Sequence, residues 1–340
     1  MSFQDFFDTD RGVLIIAEIG TNHNGDFELA KELLLQAIDS GVDAVKFQAY
    51  RTENFFTKEV PAFPRAQKLG YTRQYDRFVD LELSPDQFIS LAELTKKNGA
   101  IFMATPFDEE SLAMLNPLLP AYKIASGDLI NHQLLQQVSQ YKKPCILSTG
   151  QGTDAEIAAG AAMFPPQDLA LLHCVSSYPT PDNQVNLRSI THLQKCYPNI
   201  PIGYSDHSIG ILGCVGAVAV GARIIEKHFT LDKNQLFGDH ALSAEPSDMK
   251  SLVAQIRRME NMLGKEETIC QEAEQESKKQ LRRNLHLKRA VNKGEVLNND
   301  MILPVVSLQG IPADRLKDVL NRPVLRDFQK GEALVMEDLG

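Results

Sequence analysis

Cysteine is scarce in this chain, and no two cysteines are spaced as a metal or redox motif. The 340 residues include five cysteines, an odd number without a CxxC pair. This usage is typical of a reducing compartment, and a chain of this length buries a large core without disulfides. The first residues, MSFQDFFDTDRG, are acidic and lack the apolar segment of a signal peptide. We therefore expect a cytoplasmic protein.

Positive charge and long apolar runs are also in short supply. The 35 Lys and Arg residues against 44 Asp and Glu residues give a formal net charge of −9. A protein that binds nucleic acid or an anionic membrane needs a basic face, so this charge argues against both. The longest apolar stretch, residues 211–225, is too short to span a bilayer and contains Arg223. We expect neither a nucleic-acid nor a membrane partner.

A GxGxxG turn is absent as well, which argues against an open dinucleotide-binding sheet. Instead, short β-branched runs alternate with helix-like segments. Near-continuous apolar strands separated by helices indicate a parallel sheet that is buried on both faces. Eight such units in about 250 residues predict an α/β fold, a (β/α)8 TIM barrel. The eight predicted strands lie within residues 13–20, 44–50, 100–107, 121–128, 144–150, 169–176, 200–206 and 222–230.

The sequence also predicts where three barrel helices begin and where one long insertion lies. Asp26 is placed to cap a helix over residues 27–40, and Ser84 begins a capping box with Pro at the first helical position. Ser247 is placed to cap the last barrel helix. Residues 51–80 form a long, aromatic-rich insertion after the second strand. An insertion at that end of a barrel is typically a lid or an interface loop, and the sequence leaves both open.

The chain changes character after the barrel. We predict a catalytic barrel at residues 1–265, a charged linker or exposed helix at 266–282, and a compact β-rich module at 283–340. The module contains two KGE turns, and its nine Lys and Arg residues nearly balance its eight Asp and Glu residues. It is therefore not a basic nucleic-acid-binding arm.

Polar side chains are dense where the predicted strands end, which is where barrel enzymes carry their chemistry. Lys46 and Lys123 are accompanied there by a group of hydroxyl residues. Together they predict a cationic pocket for a phosphorylated or multiply anionic small molecule. A network of lysines and carboxylates that serves only stability is the alternative. The hydroxyl residues are Thr105, Ser126, Ser148 and Ser205.

Two histidines end adjacent predicted strands. His207 follows strand seven and His228 ends strand eight, without cysteines beside them in the sequence. Imidazoles without nearby thiolates suit Mn, Zn, Fe or Co. The two rings are therefore candidate metal ligands, and a pair of hydrogen-bonded core histidines remains the alternative.

Motifs spread over nearly the whole chain, in the expected order, resemble the sialic acid synthase family. The tail is similar to the antifreeze-like (SAF) domain that ends these enzymes, including both KGE turns. The motifs are AEIGTNHNGD (17–26), GVDAVKFQ (41–48), ATPFDEES (104–111), YKIASGD (122–128), LSTG (147–150), LLHCVSSYPTP (171–181), IGYSDHSIG (202–210) and EKHFTLD (226–232).

This resemblance implies condensation of phosphoenolpyruvate with a six-carbon amino-sugar aldehyde to a nine-carbon 2-keto acid and phosphate. By resemblance, His207 and His228 bind Mn²⁺ or another divalent ion, and Glu18 and Asp128 handle protons. The family also dimerises head to tail, with one chain's antifreeze-like domain over the partner's barrel mouth. The positions that match phosphoenolpyruvate contacts are Lys46, Thr105, Lys123, Ser126, Ser148 and Ser205. Those that match sugar contacts are Gln48, Ser176, Tyr178 and Asp239.

Several positions depart from the family pattern. Asp128 stands where the family commonly has glutamate, and Ser176 where asparagine is frequent. Val306 stands where an arginine commonly reaches the partner's sugar, and Ala241 replaces a frequent lysine. These changes fall mainly on the acceptor half of the site, so the acceptor need not be N-acetylmannosamine.

Two other functions stay open on the sequence. The first is condensation with a shorter, five-carbon phosphosugar, which requires basic residues at the barrel mouth. The second is a barrel that binds a sugar without catalysis, because a fold can persist without its activity. The basic residues that the insertion offers are Arg51, Lys58, Arg65, Lys68, Arg73 and Arg77.

Overall fold

A computed structural model of the chain describes residues 12–235 and 238–340. The chain divides into two compact units, the first extending to Gly264 and the second beginning at Lys265. Residues 1–11 of the predicted barrel domain lie outside the described residues. The predicted linker, 266–282, is counted with the second unit. Within the described residues, no helix is long and apolar enough to cross a membrane.

Eight parallel strands form the sheet of the first unit. The ladder runs β3-β2-β1-β8-β7-β6-β5-β4, and its two end strands, β3 and β4, lie in contact. Because β1 pairs directly with β8 and the end strands β3 and β4 lie in contact, the eight strands form a nearly closed barrel. The TIM-barrel prediction is confirmed. The strands are β1 (Leu14–Gly20), β2 (Ala44–Ala49), β3 (Ile101–Pro106), β4 (Tyr122–Ile124), β5 (Cys145–Ser148), β6 (Leu169–Cys174), β7 (Ile202–Asp206) and β8 (Ile224–His228).

Helices follow the strands, and two of the three predicted caps are confirmed. The Asp26 carboxylate accepts from the backbone of Glu28 and Leu29, and Ser84 forms its capping box. The prediction for Ser247 is wrong, because the helix begins earlier, at Pro246, with the Glu245 side chain as its cap. The helices are α1 (Phe27–Asp39), α2 (Thr52–Phe55), α3 (Pro64–Gln67), α4 (Gln74–Leu81), α5 (Pro85–Lys97), α6 (Glu109–Leu115), α7 (His132–Gln140), α8 (Asp154–Ala161), α9 (Arg188–Cys196), α10 (Leu212–Ala219) and α11 (Pro246–Leu263).

The barrel interior changes from apolar to polar along the strands. An apolar layer fills the amino-terminal part of the barrel, and a second, larger apolar core lies between the strands and the surrounding helices. Burying both strand faces requires the near-continuous apolar runs seen in the sequence. The inner layer consists of Leu14, Ile16, Ala44, Met103, Ala121, Ile146, Ala170, Leu172 and Ile224.

Gly203 in β7 lies where the inner layer has no room for a side chain. An added Cβ would lie 2.5 Å from the Ile224 carbonyl oxygen and 2.5 Å from the Leu172 Cδ2 atom. Because such overpacking strains the core, we expect Gly203→Ala to lower the free energy of unfolding by about 1–3 kcal/mol. Urea denaturation measures the change. Gly127→Ala, where nothing lies within 4 Å of the added Cβ, is the control. Equal unfolding midpoints for the two variants would contradict the packing argument.

The second unit is built around an antiparallel strand pair. Strands β9 (Arg283–Leu287) and β10 (Ile302–Val306) pair over their full length, and helices α12 (Gln275–Leu281) and α13 (Leu316–Val319) accompany them. The unit has its own apolar core. The glycines of the two KGE turns, Gly294 and Gly331, have φ values of 88° and 89°. Glycine adopts this left-handed conformation at little cost, which gives the KGE spacing a physical reason.

Candidate active site

A cavity of about 700 Å³ opens where the barrel strands end, within the first unit. Its wall contains polar residues from the strands and aromatic residues from the insertion. The structure therefore brings together most of the side chains that the sequence predicts as site residues. Those that line the cavity are Glu18, Lys46, Gln48, Thr105, Lys123, Ser126, Ser148, Tyr178, Ser205, His207, His228 and Asp239.

Two buried lysines and two buried carboxylates occupy the polar layer of the barrel. Lys46 Nζ lies 2.6 Å from Glu18 Oε2 and 3.6 Å from Glu226 Oε2. Lys123 Nζ lies farther from a carboxylate, 3.8 Å from Glu226 Oε1. The ladder of β1 with β2 places Glu18 opposite Lys46, so the strand register itself produces the first pair. Both ammonium groups border the cavity.

Hydroxyl and amide groups complete this layer. Lys46 donates to Thr105 Oγ1 over 3.3 Å, and Lys123 donates to Ser148 Oγ over 2.7 Å. Gln48 donates to Glu18 Oε1 over 3.0 Å. A hydroxyl partner leaves the positive charge of a lysine available to attract an anion, whereas a carboxylate partner neutralises that charge. The arrangement thus combines the two alternatives left by the sequence, a lysine–carboxylate network and a cationic pocket.

Glu226 is the residue that the sequence analysis missed. It lies between the two lysines and accepts a hydrogen bond of 2.8 Å from Ser205 Oγ. Side chains two positions apart on a strand share a face, so Glu226 points to the same side as His228. That spacing was a usable sequence signal for an inward-facing carboxylate. Glu226 is the shared counterion of Lys46 and Lys123.

The pKa values of the two carboxyl groups in this layer, Glu18 and Glu226, are shifted in opposite directions. Burial alone would raise the pKa of Glu226, but Lys123 and Lys46 outweigh burial and lower that pKa. Burial raises the pKa of Glu18, and Lys46 offsets only part of that rise. Glu226 is therefore the permanent anion, whereas Glu18 is the carboxyl group better suited to carry a proton.

The pKa values of the two lysines are also shifted in opposite directions. Burial alone would lower the pKa of Lys46, but the carboxylates of Glu18 and Glu226 outweigh burial and raise that pKa. Burial lowers the pKa of Lys123, and Glu226 offsets only part of the fall. Lys123 is therefore the lysine whose charge an anionic ligand would stabilise most.

The histidines predicted as metal ligands lie side by side. The ring centroids of His207 and His228 are 5.3 Å apart, and the Tyr178 ring lies 4.0 Å from that of His207. The Val175 carbonyl oxygen lies 2.8 Å from His207 Nδ1. Because a carbonyl only accepts, Nδ1 carries the proton of a neutral ring and Nε2 keeps its lone pair. His228 Nδ1 is buried without a hydrogen-bond partner, 3.8 Å from Asp239 Oδ2.

This donor set fits a divalent ion only as an open site. Burial lowers the pKa of His228, which favours the neutral imidazole that metals require. Within residues 12–235 and 238–340, however, no group of three or more His, Cys, Asp or Glu side chains is placed to hold a metal. Two imidazoles would leave most coordination positions to substrate and water.

A buried ion pair lies behind the two histidines. Asp206 and Lys227, the residues directly before His207 and His228, are paired across β7 and β8 at 2.8 Å. The Asp206 carboxylate also accepts from Tyr204, Ser208 and Cys214, and Lys227 Nζ donates to the Ser208 carbonyl over 2.5 Å. Each partner of the pair adjoins one histidine, so the pair fixes the separation of the two strand ends.

Two predicted site residues, Asp128 and Ser176, are not among the described residues that line the cavity. After the short strand β4 the chain enters a 3₁₀ turn (Ser126–Asp128), and Asp128 Oδ1 accepts from Asn131 over 3.0 Å. The Ser176 hydroxyl group lies against Gly150, where a Cβ atom added to the glycine would be 2.6 Å from the hydroxyl oxygen. The roles of both residues stay predictions, and Glu18 is the predicted proton carrier that the structure places beside the lysines.

The insertion forms the outer wall of the cavity. Five phenylalanine rings line it together with two buried polar residues, Gln74 and Arg77. Phe55 packs on Phe56 with a centroid distance of 4.4 Å, and Phe56 packs on Phe78 at 4.6 Å. The sequence left the insertion as a lid or an interface loop; the structure shows that it lines the cavity. Four of the rings belong to the insertion, those of Phe55, Phe56, Phe63 and Phe78, and the fifth, Phe107, directly follows β3.

The fold and this cavity define a barrel enzyme with a cationic, hydroxyl-lined site at the ends of its strands. A family model described as the NeuB family matches residues 33–268. The chain belongs to the NeuB family.

Named relatives and a solved structure agree with this membership. N,N′-diacetyllegionaminic acid synthase from Campylobacter jejuni is 36% identical over 94% of this chain and 98% of its own. N-acetylneuraminate-9-phosphate synthase from Homo sapiens is 32% identical over 96% of this chain and 92% of its own. The crystal structure of N-acetylneuraminic acid synthetase from Leptospira borgpetersenii, in complex with citrate, is 38% identical with a TM-score of 0.71. The match covers 78% of the present chain and 90% of the Leptospira chain.

Proposed function

We propose that this enzyme condenses phosphoenolpyruvate with a six-carbon amino-sugar aldehyde, giving a nine-carbon 2-keto sugar acid and phosphate. The observation that carries the proposal is the buried layer of Lys46 and Lys123 with their hydroxyl partners, which suits a small molecule with several negative charges. The related proteins named as sialic and legionaminic acid synthases support the same reaction class.

The proposed reaction forms one carbon–carbon bond, consumes one water molecule and releases phosphate, and the residues that line the cavity can hold the anions and carry the proton. Carbon 3 of phosphoenolpyruvate forms a bond to the aldehyde carbon, whose oxygen takes up a proton. Water adds to carbon 2 and releases a proton, and collapse of the tetrahedral intermediate breaks the carbon–oxygen bond to phosphate. Lys46 and Lys123 hold the anionic groups throughout. Glu18, whose pKa is raised by burial, relays the proton between the two oxygens.

A divalent ion belongs to this proposal as well. His207 and His228 would hold Mn²⁺ or a similar ion, which supplies Lewis-acid polarisation of the aldehyde oxygen when it is bound. Gln48, Tyr178 and Asp239 line the same cavity and are proposed to contact the sugar. The second unit is proposed as the antifreeze-like (SAF) domain, and light scattering would test the head-to-tail homodimer.

The test is phosphate release from phosphoenolpyruvate with a panel of aldoses. The panel contains N-acetylmannosamine, di-N-acetylated dideoxy hexoses, unacylated aldoses and phosphorylated aldoses. We expect release with at least one aldose, none without an aldose, and loss of release after chelation. His207→Ala is expected to abolish turnover with an unchanged thermal midpoint. Full activity in that variant would overturn the metal assignment. Silence with every aldose would overturn the proposed reaction and leave a non-catalytic sugar-binding barrel.

A further inference from the structure

The turn after β1 contains a buried asparagine that the proposed reaction does not use. Asn22 belongs to the motif at residues 17–26, is only 1% exposed, and is not among the described residues that line the cavity. A buried amide needs partners for both its oxygen and its NH₂ group. The partners of Asn22 lie 207 to 221 residues further along the chain. They belong to the connection between β8 and α11, of which the structure describes residues 229–235 and 238–245.

The Asn22 amide joins the two ends of this connection. Its Nδ2 atom donates to the Phe229 carbonyl oxygen over 2.9 Å and to Ser243 Oγ over 3.0 Å. The Asp239 backbone N–H donates to Asn22 Oδ1 over 2.9 Å. Because the Phe229 carbonyl only accepts and the Asp239 N–H only donates, a single orientation of the amide satisfies both. The side chain therefore ties the first residue of the connection to Asp239.

Gly238 allows the backbone to approach this amide closely. Its φ value is 71°, a conformation that glycine adopts at little cost. An added Cβ would lie 2.8 Å from Asn22 Oδ1 and 3.2 Å from the His240 Cδ2 atom. The backbone directly before Asp239 is therefore packed against the amide, with no room for a side chain between them.

Asp239 is the residue at which this network reaches the cavity. Its side chain lines the cavity, with Oδ2 3.8 Å from His228 Nδ1. Asp239 lies outside β8 and α11, so neither regular element determines its position. Both of its backbone polar groups are held instead, since Asn22 accepts from its N–H and Ser243 Oγ donates to its carbonyl oxygen over 2.7 Å.

We infer that Asn22 is a positioning residue, whose amide fixes the backbone of Asp239 and thereby places the Asp239 carboxylate at the cavity wall. Asn22 does not line the cavity, so it acts through Asp239 and not by contact with a substrate. This inference rests on the proposed function, in which Asp239 contacts the sugar. An amide that only stabilises the barrel is the alternative.

A double-mutant cycle between Asn22 and Asp239 separates the two roles. Asn22→Leu has a similar size but no hydrogen-bonding group, and it should lower kcat/KM for the best aldose about 100-fold, the typical cost of displacing a site residue by about 1 Å. The double variant Asn22→Leu with Asp239→Ala should lose no more than Asp239→Ala alone, because the two residues act as one unit. The dissociation constant for phosphoenolpyruvate should not change, because Lys46 and Lys123 lie on other strands, β2 and β4.

Amide hydrogen exchange gives a readout that needs no turnover. In Asn22→Leu we expect faster exchange over residues 238–244, while the peptides of β1 and β8 stay protected. Tyr122→Phe is the matched control, because it removes a hydrogen bond of 2.6 Å from a buried side chain to Asn116, outside the cavity. It should keep wild-type kcat/KM and wild-type exchange over residues 238–244. If Asn22→Leu does not fold, Ser243→Ala is read by the same cycle and the same exchange measurement.

Three results would overturn the role of Asn22 and leave the proposed reaction standing. The first is a double variant whose loss of kcat/KM equals the product of the two single losses. The second is unchanged exchange over residues 238–244. The third is an equal loss of affinity for phosphoenolpyruvate, which indicates a general distortion of the barrel. Absence of phosphate release by the wild type with every aldose would instead overturn the proposed reaction, and this inference with it.

Discussion

Replacing Lys123 with methionine is expected to raise the dissociation constant for phosphoenolpyruvate about 10- to 100-fold, the effect of removing one hydrogen bond from a charged donor. Lys46 is held at 2.6 Å by Glu18, whereas the carboxylate nearest to Lys123 is 3.8 Å away. Lys123 therefore keeps more of its attraction for an incoming anion. Titration calorimetry with phosphoenolpyruvate alone measures the effect without turnover.

The pKa of Lys123 also predicts how the affinity for phosphoenolpyruvate changes with pH. Burial lowers the pKa of Lys123, so this ammonium group loses its proton at a lower pH than an exposed lysine. We expect wild-type affinity for phosphoenolpyruvate to fall as the pH rises through the alkaline range. The fall due to Lys123 should be absent in Lys123→Met, because methionine does not titrate.

A second lysine serves as the control for this experiment. Lys143 is partly buried and donates to the backbone carbonyls of Asn116 and Leu119, outside the cavity. Lys143→Met should bind phosphoenolpyruvate as the wild type does. A Lys123→Met protein that binds within threefold of wild type would contradict the proposed role of the lysine layer.

Replacing Lys227 with methionine is expected to lower the free energy of unfolding by about 3–5 kcal/mol, the usual cost of removing one partner of a buried ion pair. Asp206 and Lys227 are almost fully buried, and the change leaves the Asp206 carboxylate with neutral donors only. Because the pair adjoins both histidines, we also expect a weaker response of activity to added Mn²⁺. Urea denaturation measures the first effect and metal titration the second.

A double variant and an exposed ion pair serve as controls. They show whether the loss of stability comes from burying an unpaired charge or from losing any ion pair. Lys227→Met combined with Asp206→Asn should recover part of the lost stability, because no unpaired charge is then buried. Lys250 and Asp39 form an exposed pair at 2.7 Å, so Lys250→Met should change stability by less than about 1 kcal/mol. Similar losses in Lys227→Met and Lys250→Met would contradict the distinction between the two pairs.

The barrel was predictable because apolar strands and caps are local features of the sequence. All eight strands lie where the apolar runs placed them, and the cap at Asp26 formed as its side chain predicts. The cavity residues Lys46, Lys123 and Ser148 followed from one rule, that the carboxyl ends of parallel barrel strands meet at one face. For these residues the strand position alone determines the location.

Other residues required the structure because their partners are distant in sequence. Lys227 lies on the outer face of a buried strand, and only the β7–β8 register shows that Asp206 neutralises it. Arg77 is one of six cations in an insertion without a single period, so the sequence could not show that its side chain lines the cavity. Asp128 was assigned by the family resemblance, and only the structure shows that it lies in a 3₁₀ turn where its carboxylate accepts a hydrogen bond from Asn131.

The position of bond cleavage tests the central claim most directly. Phosphoenolpyruvate is labelled with ¹⁸O in the oxygen that bridges carbon 2 and phosphorus, and it is incubated with the enzyme, Mn²⁺ and the best aldose. We predict that phosphate and a nine-carbon keto acid form in equal amounts and that the label is found in the phosphate, because the carbon–oxygen bond breaks. Label in the keto acid or in pyruvate would show cleavage of the phosphorus–oxygen bond, and would contradict a phosphoenolpyruvate-condensing synthase.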